Sequence, residues 1–123
     1  MSATERTHST LVDGKRHVWR VEALWAHARD LPVFPLEIAD LPALDLDCWF
    51  GTVHVPTVRA VVDHMRRVEA ADLRYPVILS ESGVVMDGLH RIAKALMRGD
   101  ATVLAVQFVE NPAPDRVEDW PPA

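Results

Sequence analysis

A chain of 123 residues, 49% hydrophobic and 25% charged, has the make-up of one globular domain that buries roughly two-thirds of its unfolded surface without covalent staples. Its single cysteine, Cys48, excludes an internal disulfide framework, and no apolar run approaches the roughly 18 residues of a membrane span. Thirteen Lys and Arg against 18 Asp and Glu leave a net charge of -5, which argues against a nucleic-acid binder working by bulk electrostatics.

Residues 1–10 are polar and lack the apolar stretch of a secretory signal, so disorder and a cytoplasmic setting are expected. A single domain is expected over 11–110, followed by a proline-rich acidic tail over 111–123 from which Trp120 can dock back. "LVDGKR" carries an Asp-Gly turn whose flanks are too weak to specify a hairpin. In "HVWRVEALWAHARDL", Val18, Val21, Leu24, Trp25 and Ala28 recur at helical spacing, and Leu31-Pro32 ends the pattern. "VFPLEI" reads as a short strand that Pro35 confines to an edge.

"ADLPALDLDCWFG" is an irregular connector in which Trp49 and Phe50 either pack into the core or line a pocket. Asp45, Asp47 and Cys48 match neither a zinc nor a calcium loop, and His54 and His64 make no metal motif, so no metal site is expected. "TVHV" is a further short strand or an extended lead-in, and Pro56 opens a helix whose buried stripe is Val58, Val61, Val62, Met65 and Val68. Two apolar runs, 77–79 and 84–86, flank the turn "SESG" as a hairpin. A helix over 88–98 follows, stopped by Gly99, with Leu89, Ile92, Ala93, Leu96 and Met97 inward. "ATVLAVQFV", 101–109, closes the pattern as a central strand. Helices alternating with short strands predict an α+β domain, a small mixed sheet with flanking helices.

The chemistry concentrates in "GVVMDGLHRIAKALMRG". On one reading Asp87-Gly88 is a turn, Asp87 caps the helix, and His90 and Arg91 are solvated. On the other, free N–H groups and the positive dipole end make an anion site that Gly88 lets a phosphate approach. Arg91 supplies a fork for phosphate oxygens, His90 a donor or a mobile proton, and Lys94 and Arg98 continue a basic stripe. There is no Walker loop.

From residue 33 to 109, with "YPVILSESGVVMDGLHRIAKALMRGDATVLAVQF" as its centre, the chain resembles the ParB/sulfiredoxin superfamily. The resemblance implies a ParB/sulfiredoxin-like fold with nucleotide phosphates held by Gly88, His90 and Arg91, to which the basic stripe adds Lys94. It also implies that Asp87 positions a metal, a substrate or the helix cap, with His90 and Asp87 as the candidate catalytic groups. Leu89 stands where sulfiredoxins carry their reactive cysteine, and the Gly-Glu-Arg-Arg signature of partition proteins is absent. The Asp-Gly-x-His-Arg form is closer to the superfamily's small-molecule branch, which includes free-serine kinases.

By that resemblance the cofactor is ATP/ADP or CTP with Mg²⁺, and the function is phosphoryl transfer to a small-molecule acceptor, or nucleotide hydrolysis. The alternative is a non-catalytic nucleotide-sensing or protein-interaction module. A DNA-partition-associated protein is the weakest reading, because the acidic charge and missing DNA-reading segment disfavour DNA. Glu37, if it faces the cleft, and Arg59, in the first turn of its helix, are further site candidates, whereas Glu81 on the hairpin tip reads as solvated.

Overall fold

In the structure, a computed structural model that describes residues 6–121, the fold is α+β, with three α-helices and two small sheets among those residues. The three-stranded sheet has the order β1-β2-β7, from β1 (Thr7–Val12), β2 (Lys15–Arg20) and β7 (Arg116–Asp119). The four-stranded sheet has the order β3-β6-β4-β5, from β3 (Phe34–Glu37), β4 (Val77–Leu79), β5 (Val85–Asp87) and β6 (Thr102–Gln107). The helices are α1 (Val21–Ala28), α2 (Val58–Ala70) and α3 (Leu89–Arg98). The chain clusters into two compact units, the first comprising residues up to Pro32, Ile78–Asp87 and from Gln107 onward, the second Val33–Val77 and Gly88–Val106.

In the first unit, residues 7–10 are not disordered: they form β1, and the Asp-Gly turn is a full hairpin. Asp13 and Gly14 both take positive φ, 51° and 79°, as a two-residue turn between twisted strands demands, so Val12 pairs with Lys15. The expectation of disorder over 1–5 lies outside the described residues. Because 15–20 pair as β2, the expected helix starts only at Val21, with Val21, Leu24 and Ala28 inward.

The tail is not free of structure either. β7 pairs with β2 so that Lys15 faces Asp119 and Arg16 faces Glu118, with ion pairs of 2.8 and 2.7 Å. Trp19 Nε1 donates to the Pro112 carbonyl at 2.8 Å, and the Arg16 guanidinium sits 5.7 Å from the Trp120 ring centroid, so the tail does dock back. Four prolines and three acids in this stretch mask a strand that local pattern alone does not announce.

In the second unit, β3 runs antiparallel to β6, with Pro35 opposite Leu104, and lies at the sheet edge as a proline requires. The connector contains a 3₁₀ turn, Pro42–Asp45, and residues 51–54 form bends, so no strand forms over 52–55. Thr57 caps α2 by accepting from Ala60 N at 3.1 Å, which places Pro56 ahead of the helix instead of in its first turn.

The expected buried stripe of α2 is corrected. Val58 and Met65 are 82% and 59% exposed, Val61 and Val62 are also on the exposed side, and only Val68 is buried. The covered row is Ala60, His64 and Val68, spaced by four, because that is the row α2 turns towards α3. α3 is rotated likewise: Gly88, Ile92 and Ala95 are buried, whereas Leu96 and Met97 are exposed. Gly99 ends α3 in the left-handed region at φ 77°, its N–H reaching Ala95 and Leu96 carbonyls, as expected.

Candidate functional site

The hairpin β4–β5 delivers the chain to α3. Ser80 N donates to the Val84 carbonyl at 2.8 Å and Ser80 Oγ accepts from Val84 N at 3.0 Å, closing the "SESG" turn. Gly88 then takes φ 114° and ψ 17° as the residue before the helix. A Cβ there would lie 2.9 Å from Val77 Cγ2 and 3.2 Å from Val77 Cα, so glycine is demanded both by the left-handed backbone and by the neighbouring strand.

The residue at the start of α3 is Gly88, which has no side chain to cap with, and Asp87 stands one residue before it. Within the first unit Asp87 Oδ2 accepts from Trp25 Nε1 at 2.9 Å, and the Asp87 charge acts on the half-buried His8. That hydrogen bond explains why Trp25 is half-buried at the edge of its stripe instead of lost in the core.

His90, in the first turn of α3, meets a residue that spacing did not connect with it. His90 Nε2 lies 2.8 Å from His64 Nδ1, a direct imidazole–imidazole hydrogen bond between α3 and α2. Trp49 lies over both rings, 4.6 Å from His64 and 4.8 Å from His90 between centroids, with interplanar angles of 14° and 8°. Phe50 closes the cluster edge-on to His64 at 5.3 Å, its backbone N–H held by Asp47 Oδ1 at 2.9 Å. Burial, and then the Arg67 charge, lower the His64 pKa, while Asp63 opposes them. The bond needs one ring to donate and the other to accept, so at most one proton beyond neutrality fits the pair without repulsion. Such a pair can present an N–H to an anion on one side and relay a proton through the other.

The cations of the expected basic stripe have main-chain duties. Lys94 Nζ donates to the Glu69 and Ala71 carbonyls at 2.8 Å each, where a cation stabilises the C-terminal end of α2. The Arg91 guanidinium donates to the Pro76 carbonyl at 3.4 Å and folds beside Gly88. Arg98 pairs with Asp100 at 3.4 Å. His90, Arg91 and Lys94 thus lie along α3 with Gly88 just before it, but the Arg91 and Lys94 head groups go to backbone carbonyls and not to His90. Glu37, exposed on the edge strand, and Arg59, exposed on α2, line neither of the clefts beside Trp49.

Those clefts share Trp49 and Phe50 as walls. One, of about 310 Å³, is mixed in character and carries His54, Asp63, His64 and Arg67 beside Val53 and Val55. The other, of about 410 Å³, lies between the connector and α3 and is lined mainly by apolar side chains, four of them leucines. Trp49 and Phe50 thus line pockets, one of the two roles open to them from sequence. Local spacing does not connect His64 with a partner 26 residues away. Its place in the Ala60–His64–Val68 row, between two apolar residues, was the available signal. Among the described residues, no group of three or more His, Cys, Asp or Glu could hold a metal ion, and no helix is long and apolar enough to cross a membrane. No protein-family model, curated protein or solved structure matches the chain.

Proposed function

We propose that the protein binds the phosphates of a nucleotide at the start of α3, with His90 and His64 as the side chains that contact the anion and exchange its protons. One observation carries the reading: His90, in the first turn of α3, is hydrogen-bonded at 2.8 Å to His64 of α2. The N–H groups of a helix start with an imidazole donor in its first turn favour an anion with several acceptor oxygens. The likeness of the Asp87–Arg91 stretch to the ParB/sulfiredoxin superfamily supports a nucleotide, ATP/ADP or CTP with Mg²⁺, over a simple anion. Arg91 and Lys94 serve this site as positioning residues, since their hydrogen bonds to Pro76, Glu69 and Ala71 carbonyls hold the start of α3 against its neighbours.

In the catalytic form of this reading, the imidazole pair takes the proton from a small-molecule hydroxyl or a water as it attacks the terminal phosphate. A second reading, nucleotide sensing without turnover, is favoured by the same Lys94 and Arg91 contacts: cations that a transferring phosphoryl group would need are engaged on backbone oxygens. A cytoplasmic setting, where such nucleotides abound and the lone Cys48 stays reduced, belongs to both.

Thermal unfolding with ATP, ADP and CTP, with and without Mg²⁺, tests the site. A nucleotide at about 100 times its Kd adds roughly 2.7 kcal/mol to the wild type. His90→Ala and His64→Ala, verified as folded by circular dichroism, should lose that gain. Equal gains in the variants would remove the imidazoles from the reading. Phosphate release, measured alongside, separates turnover from sensing.

A further inference from the structure

The connector between β3 and α2 builds something besides the Trp49 cover. Its 3₁₀ turn and the residues after it stand off from α3 and leave the cleft of about 410 Å³. Leu44 and Leu46 form one wall, Leu89, Ala93 and Leu96 the other, and the buried Ile92 also lines it. The volume falls in the range of roughly 300–1,000 Å³ typical of small-molecule sites.

Two features set this cleft apart from a packing gap. Leu46 and Leu96, on its opposite walls, remain 65% and 49% exposed, a cost in unburied apolar surface that an occupant would relieve. Trp49, moreover, is a wall of this apolar cleft, a wall of the cleft that carries His64, and the cover of the His64–His90 pair. An apolar compartment and an imidazole-bearing one therefore meet at the Trp49–Phe50 pair. At the rim, burial and the Asp47 carboxylate push the Cys48 thiol pKa up, so at neutral pH it adds a soft neutral edge and no anion.

We propose that the cleft between the connector and α3 binds an amphiphilic small molecule, its apolar body among Leu44, Leu46, Leu89, Ala93 and Leu96 and its polar head at Trp49, within reach of the His64–His90 pair. In the phosphate reading this molecule is the acceptor. The cleft itself stands independently of that reading, because its occupancy is measured with no nucleotide present.

The probe is N-phenyl-1-naphthylamine, an uncharged fluorophore small enough for the cleft, added to the full-length protein. Saturable binding at one equivalent, with energy transfer from tryptophan, is expected. Ala93→Phe, which fills the cleft, should weaken binding at least tenfold, and Leu96→Lys, which charges the mouth, should do the same should the larger residue disturb folding. Met97→Gln and Met65→Gln, on exposed faces outside the cleft, should change nothing.

Trp49→Phe should keep the binding and lose most of the energy transfer. For the polar head, 1-octanol should displace the probe from wild type at a several-fold lower concentration than from His64→Ala. Binding that survives both cleft substitutions, or is lost with Met65→Gln, overturns the site, and equal displacement from wild type and His64→Ala overturns the orientation. Nucleotide stabilisation that persists in Ala93→Phe while the probe is lost shows the two sites failing or standing separately.

Discussion

Asp87, Gly88 and His90 are nearly consecutive, yet each answers to a different force. Asp87 belongs to Trp25, Gly88 to the approach of Val77, and His90 to His64. Gly88→Ala faces two separate penalties: a positive φ that costs an L-residue about 1–3 kcal/mol, and a Cβ inside contact distance of strand backbone, which costs a similar amount. A loss of about 3 kcal/mol or more is expected in urea unfolding, against wild type. A loss below 1 kcal/mol would mean that α3 can slide away from Val77. Asp-Gly was legible as a turn, but the owner of the carboxylate was not. A hydrogen bond from an indole 62 residues earlier leaves no trace in local pattern. His64 illustrates the same limit at the site itself.

At the scale of elements, local chemistry was readable wherever neighbours in sequence are neighbours in space. The β4–β5 hairpin, α3 and its glycine stop, and edge strand β3 follow from turn residues, spacing and a proline. β1 and β7 escaped because each depends on pairing with β2, and a single mostly polar strand is specified by its partner more than by itself. α2 shows the subtler failure. Its apolar residues are regularly spaced, but two rows compete, and contact with α3 selects Ala60–His64–Val68 over Val58–Val62–Met65. Substitution distinguishes the rows. Val58→Ser and Met65→Gln should change stability by about 0.5 kcal/mol or less, as exposed positions do, whereas Val68→Ala should cost about 1–3 kcal/mol for a buried side chain cut back. Equal losses at Met65 and Val68 would show that the outer row is covered in solution.

For the molecule as a whole, pH is the variable that reaches both units through one kind of group. His8, beside Trp19 in β1, has its pKa lowered chiefly by burial, against the pull of Asp87. His64 is lowered by burial and Arg67 against Asp63. A folded pKa below the unfolded value, about 6.5, means that on acidification the unfolded chain takes up protons first. Stability from these groups is therefore complete above about pH 7 and declines as pH falls through 6.5 towards the folded values. The paired carboxylates act elsewhere: Asp72 is held at about 2 by Arg74, and Glu118 and Asp119 are lowered by Arg116 and Lys15, so their losses come only in the carboxylate range. A fall in Tm between pH 7 and 5 is thus expected, made shallower by His8→Gln and by His64→Gln, each removing its own part of the slope. A flat profile, or one that the two variants leave unchanged, would contradict the lowered imidazoles. Bound phosphate should act in the opposite sense, because an anion at the His64–His90 pair favours the protonated ring. The gain in Tm from a phosphate-bearing ligand should accordingly be larger at pH 6 than at pH 8 in wild type, and equally small at both in His64→Gln.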